Sequence, residues 1–174
     1  VLDGPNKIKR HVAMTVPNRK FLVISDETLE AEAAAMFAGM RAAAVGVGLV
    51  ILRVARVSGF GHWRGLDEEM RTEARDSALF EARALAEKVA ARTGVEAEIV
   101  IKEGEPVAAI HETVKQDDAI KVLVLAAGHG RRGPGPLVSR IGKGRPLAGR
   151  PIAITVVPGG LNDEEMDEMG GLAG

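Results

Sequence analysis

The chain has 174 residues, 46% of them apolar, which suits one domain with a real core and excludes a fully disordered chain. Its 23 basic and 24 acidic side chains nearly cancel, so no global field recruits nucleic acid or an anionic membrane. The absence of cysteine excludes disulfides, thiol nucleophiles and cysteine-bound metals, and no apolar run approaches the roughly 20 residues of a membrane span.

Only Phe21, Phe37, Phe60, Phe80 and Trp63 are aromatic. A single-stranded nucleic-acid binder would lack its stacking platform here. A reducing, cytoplasmic compartment is the default expectation.

Residues 1–20 scatter Lys7, Lys9, Arg10, Arg19 and Lys20 among Pro5, Asn6, Pro17 and Asn18, without the apolar block of a signal peptide. They read as a flexible basic arm. Phe21 to Ser25 is a short continuous apolar run, the pattern of a strand buried on both faces. Asp26 or Thr28 then caps a helix with Leu29, Ala33, Met36 and Met40 on one side, ended by Gly46 and Gly48. Leu49 to Val54 is a second doubly buried strand. Residues 55–66 are irregular around Gly59, Gly61 and Gly65, and Asp67 opens a long helix that Gly94 stops.

Val95 to Ile101 alternates before it turns apolar, which suits a strand near a sheet edge. Glu103 to Pro106 is a turn with proline at the first helical position, and Val107, Ile110 and Val114 give the following helix its buried stripe. Val122 to Ala126 is a third doubly buried strand. After a glycine-rich stretch, Pro151 to Val157 is the last, with proline at its start where the missing N–H is tolerated. Residues 159–174 carry five carboxylates and no base, and read as a flexible acidic tail.

This order predicts a single-domain α/β fold over residues 21–158: an open parallel five-stranded sheet with helices on both faces, Rossmann-like. Ligands of such sheets sit beyond the strands' carboxyl ends, where the strand order reverses. Function is therefore sought at Asp26, at Val54 to Arg56 and in residues 126–150.

Between Ala127 and Arg150 inclusive lie seven glycines, six bases, His129 and no carboxylate. Glycines let backbone N–H groups approach an anion closely, and the bases supply counter-charge. Phosphate binding at Gly128, Gly130, Arg131 and Gly133 follows as an expectation. The plainer alternative is a mobile, solvent-screened basic loop.

Gly128-His-Gly130-Arg-Arg-Gly133 has the G-x-G-x-x-G form. However, Pro134 and Pro136 keep a helix from starting at once, and no acid follows to grip a ribose, so a dinucleotide site fits poorly. Gly142-Lys143 lacks the Ser/Thr and first glycine of a Walker loop.

The strand–Asp opening to Asp26, the Leu49–Val54 strand, the Glu103–Pro106 turn and Val122 to Gly130, followed by the loop and Pro151 to Val157, together resemble the universal stress protein family. The resemblance spans residues 20–158. It implies an adenine nucleotide, ATP or AMP, with or without Mg2+, as the ligand. The family's loop has the form G-x-x-G-x(9)-G-[S/T]. Here its first glycine falls on Ala127, its second on Gly130, and its closing pair on Val138-Ser139 after seven residues, a degenerate version. Carried over by position, Asp26 faces the adenine or ribose end, Val54 offers backbone contacts to the base, and Gly130 and Ser139 hold phosphates. Arg131 has no such counterpart and rests on electrostatics alone.

The remaining chemistry-bearing residues read as structural. His62-Trp63 suits lid or surface packing, His111 a partly buried helix position, and Asp117-Asp118 a solvated turn at the sheet's opposite edge. Ser139 has no carboxylate–histidine pair to activate it, so neither a catalytic residue nor a metal ligand is assigned. The resulting expectation is a cytoplasmic nucleotide-binding sensor, homodimeric through residues 151–157, with neither nucleic acid nor membrane as partner. The alternatives are a dimeric protein-interaction subunit without nucleotide, or a slow ATPase.

Overall fold

The computed structural model describes residues 18–26, 28–56 and 64–171, the side chains of 64–67 and 132 excepted. In chain order these form β1 (Lys20–Ser25), α1 (Leu29–Val45), β2 (Gly48–Ala55), α2 (Arg64–Thr93), β3 (Ala97–Glu103) and α3 (Pro106–Gln116). They continue through β4 (Ile120–Ala127), α4 (Pro136–Gly142), β5 (Ala153–Pro158) and α5 (Asp163–Gly170).

The sheet order is β3-β2-β1-β4-β5 and every pairing is parallel, as the alternation of strands and helices requires. The three continuous apolar runs occupy the three central places, where both faces of a strand are covered. On one face Val23, Ile51 and Val124 pack against Ala34, Ala35 and Ala38 of α1 and Leu85 and Val89 of α2. On the other, Leu22, Val50, Leu52, Leu123 and Leu125 meet Ala109, Ile110 and Val114 of α3. α1 and α2 approach closely at Gly39, where a Cβ would stand 2.4 Å from a Val89 methyl.

Several expectations shift. α2 begins at Arg64 rather than Asp67, and the irregular segment's Gly59, Phe60, Gly61, His62 and Trp63 lie outside the described residues. The glycine-rich stretch is not all loop: α4 starts at Pro136, where a missing N–H costs nothing because the first helical N–H has no partner anyway.

The acidic tail differs most. Asn162 and Glu165 form a reciprocal capping box that starts α5. Its Met166 is buried, and Arg92 of α2 pairs with both Asp163 and Asp167. The five carboxylates thus surround one buried position, Met166, instead of marking a solvated tail. Among the described residues no helix is long and apolar enough to cross a membrane.

Candidate functional site

The chain enters the sheet at β1, builds outward to β3, then crosses back to lay β4 on the other side of β1. The strand order therefore reverses between β1 and β4, and in sheets of this kind the ligand crevice lies beyond the carboxyl ends at that point. Asp26 stands at one lip, Ala127 and Gly128 at the other.

Asp26 is exposed, and its Oδ1 accepts from the Thr28 N–H at 2.9 Å and from the Thr28 hydroxyl. Capping falls to Thr28, whose Oγ1 accepts from Ala31 N at 3.1 Å. Asp26 is thereby oriented without being consumed by the helix, and its Oδ2 accepts nothing among the described residues.

Val54 is half-buried, with its side chain against the α3 face. Pairing of β1 with β2 stops at Ser25↔Arg53, whereas β2 runs on beside β3 to Ala55. The last residues of β2 therefore have no strand on their β1 side. Their backbone borders the crevice.

Beyond β4 the chain turns at His129, makes a single 3-10 turn over Gly130–Arg132 and reaches α4 through Gly133, Pro134 and Gly135. Gly130, Gly133 and Gly135 have φ of +80°, +70° and +91°, conformations that side chains resist. Gly128 N donates to Pro134 O at 3.3 Å, and a Cβ on Gly128 would stand 2.8 Å from Gly133 O. The glycines thus serve first the loop's closure on itself. What the closure leaves over are the N–H groups of His129, Gly130 and Arg131, none of which the loop's own hydrogen bonds use.

Val138 and Ser139 lie within α4, past its first residues: Val138 packs on the core beneath α3, and Ser139 N donates to Gly135 O at 3.0 Å. Arg131 is exposed, and the Arg132 side chain is outside the described residues. Two of the remaining loop bases are held by backbone carbonyls. Arg140 Nε donates to Pro146 O at 3.1 Å. Arg150 Nη2 donates to the Asp117 and Ile120 carbonyls at 3.1 and 2.7 Å, at the amino end of β4 and thus across the sheet. A cluster in sequence is here a chain travelling from one edge of the sheet to the other.

Nor is the loop free of acid in space. Glu30, in the first turn of α1, brings Oε1 to 3.5 Å from His129 Nδ1. Its side chain packs on Gly159, where a Cβ would collide with Glu30 Cγ, and Gly159 N donates to Ala127 O at 2.9 Å.

Arg53 is a second residue that sequence reasoning missed. It is 5% exposed, opposite Ser25 in register, with Nη1 3.5 Å from Ser25 Oγ and Nη2 paired with Glu81 of α2. It ties α2 to the carboxyl end of the sheet, one residue before Asp26 in register. The available signal was a lone charge inside the apolar run Leu49–Val54.

At the opposite edge, Asp117 accepts from Lys20 at 2.9 Å and Lys20 also pairs with Glu98 at 2.7 Å. Hydrogen bonds to Glu98 and Asp117 raise the Lys20 pKa. Burial opposes the Asp117 carboxylate, but Lys20, the Ala119 N–H and Arg150 together hold its pKa below the ordinary value. Asp117 is thus a structural ion-pair partner, more than the solvated turn expected, while Asp118 is solvated. His111 is exposed rather than partly buried, its ring against Gly149.

A model of the universal stress protein family matches residues 17–139. Among solved structures, UspA of Lactobacillus plantarum is 23% identical with a TM-score of 0.58, covering 80% of this chain and 97% of its own. A universal stress protein in complex with cAMP is 19% identical with a TM-score of 0.55, covering 81% and 97%. An Arabidopsis thaliana family protein with AMP bound is 17% identical with a TM-score of 0.52, covering 84% and 94%. No curated protein matches the sequence.

Proposed function

Since the chain belongs to the universal stress protein family, we propose that it is an adenine-nucleotide-binding regulatory module, a cytoplasmic homodimer that carries out no efficient chemical step. The observation that carries this reading is the run of N–H groups at His129, Gly130 and Arg131, which have no partner among the described residues, beside the point where the strand order reverses. Successive N–H groups on a glycine-rich turn are a phosphate receptor.

The donor set fits the rest of a nucleotide. Asp26 presents a carboxylate oxygen with no partner among the described residues, which suits a ribose diol. The bordering backbone of Val54 and Ala55 suits the edge of a base. Arg131 supplies the one exposed loop cation with a described side chain next to the turn. The solved relatives with cAMP and AMP bound support an adenine nucleotide as the class. With Val138 turned to the core, Gly130 rather than the Val138-Ser139 pair bears the phosphate.

Binding that orders one state of the loop shifts how partners meet this end of the molecule. Calorimetric titration with AMP, cAMP and ATP, the last with and without Mg2+, tests the reading. Saturable binding of at least one supports it, and no heat from any overturns it.

A second reading has its own observation. The loop closes on itself at Gly128 and Pro134, and Glu30 places a negative charge beside His129. Both features favour a family member that has given up nucleotide and acts through protein contacts alone. Absence of nucleotide from the native mass spectrum, together with the silent titration, selects it.

Self-association rests on the contrast between the two edges. β3 carries Glu98, Lys102 and Glu103, charges that discourage edge pairing. β5 has none in Ala153–Pro158 and leaves Ile154 and Val156 exposed. The apolar edge is the one that a second copy pairs with.

A further inference from the structure

Glu30 is held in place beside the glycine turn that follows β4. It lies in the first turn of α1, and its side chain is 25% exposed. Its Cγ occupies the space that a Cβ on Gly159 would need, and Gly159 N is itself tied to Ala127 O at 2.9 Å. That packing sets the carboxylate against the turn, with Oε1 3.5 Å from His129 Nδ1. A second carboxylate, Asp26, precedes it at the end of β1, exposed and with an Oδ2 that accepts nothing among the described residues.

The opposing positive charge is thin. Among the described side chains, Arg131 is the one exposed cation next to the turn. Arg140 and Arg150 are held by carbonyls, and Lys143 and Arg145 follow α4, whose length is about 10 Å. The turn itself offers the N–H groups of His129, Gly130 and Arg131, a set that matches the oxygens of one phosphate. The Val138-Ser139 pair adds little: Val138 packs on the core, and Ser139 N is spent on Gly135 O. Counter-charge for one phosphate thus stands against a fixed like charge that opposes any more.

We propose that Glu30 determines the specificity of this site: it confines the ligand to an adenine nucleotide with a single phosphate, diester or monoester, and disfavours a nucleoside triphosphate. The inference rests on the nucleotide reading above. At pH 8 a diester carries about one negative charge, a monoester about two and a triphosphate about four, so repulsion from one fixed carboxylate grows along that series. Packing on Gly159 keeps the carboxylate at the turn and out of bulk water, where salt would screen most of the effect. The competing arrangement is a Mg2+ ion that bridges Glu30 to the phosphates, which would turn the repulsion into attraction.

The test titrates cAMP, AMP and ATP into the full chain by calorimetry at pH 8, with EDTA and again with Mg2+. In EDTA the wild type binds AMP and cAMP about tenfold more tightly than ATP. E30Q, with an unchanged far-UV spectrum, tightens ATP more than AMP, so that the preference shrinks about fivefold, and it tightens ATP in Mg2+ as well. E32Q, in the same turn but paired with Lys88 of α2, leaves the preference as it was. Equal affinities for AMP and ATP in EDTA, or a preference that E30Q does not change, overturn the proposal and leave nucleotide binding standing. ATP that gains affinity from Mg2+ and loses that gain in E30Q also overturns it, assigning Glu30 to a metal. Silence from all three ligands with both wild type and E30Q is the separate result that removes the nucleotide reading, and this inference with it.

Discussion

The carboxylate of Glu30 stands 3.5 Å from the imidazole Nδ1 of His129, joining the first turn of α1 to the loop that follows β4. An anion reaching the N–H groups of that loop meets Glu30 as a like charge. Glu30→Gln therefore strengthens binding of AMP, by about 1 kcal/mol or roughly fivefold, the scale of one charge several ångströms away at a partly solvated site. Calorimetry with AMP checks it, and adenosine, which has no phosphate, should show no gain.

Gly130 sits at φ +80°, which a β-branched residue adopts only with strain on the order of 1–3 kcal/mol. Gly130→Val therefore reshapes the turn that aligns the three N–H groups. Nucleotide binding falls below detection by calorimetry, while the sedimentation behaviour of the protein is unchanged because the change lies outside the Ala153–Pro158 edge that two copies share.

Val156 is 42% exposed on β5, so a lysine there leaves the fold of one chain within about 0.5 kcal/mol of wild type. It does place a charge in the edge that two copies share. Val156→Lys is expected to sediment as a monomer at concentrations where the parent is a dimer, with nucleotide affinity retained.

Asp117 has a lowered pKa in the folded chain, from an ordinary value of 3.8. Its contribution to stability is then fully present above 3.8 and is lost as pH falls through its folded value. For Lys20 the sign is opposite: raised above 10.5, it contributes below that value and the contribution fades as pH climbs through the folded pKa. Lys20→Met should flatten the acid limb of a melting-temperature profile below pH 3.8 relative to wild type. An acid limb of unchanged slope would count against the Lys20–Asp117 pair as its source.

The central strands could be read from the chain because burial on both faces leaves a pattern in each strand by itself. Strand–helix alternation likewise pointed to the strands' carboxyl ends, and so to Asp26 and residues 126–150; the strand order that puts the reversal between β1 and β4 is visible only in the fold. Pairs that cross the sheet leave no such trace. Glu30 and His129 meet only once α1 has packed, and Arg150 looked like part of the glycine loop's charge until the chain was seen to carry it to the Asp117 edge.

α5 was legible and passed over. Asn162 and Glu165 have capping-box spacing, and Met166 and Gly170 mark a buried stripe among the carboxylates. Net charge obscured the periodicity. The capping role of Thr28, by contrast, depended on which of two neighbouring oxygens faces the helix, a matter of backbone direction that composition does not encode.

Chemical-shift titration of the nitrogen-15-labelled protein with AMP reads the account where it is most exposed. The amides of His129, Gly130 and Arg131 should move together and saturate with a single affinity, with Asp26 and Ala55 following. Saturable shifts confined to another surface, such as the groove beside His111 and Gly149, or no shifts at all, would contradict nucleotide binding at the reversal between β1 and β4.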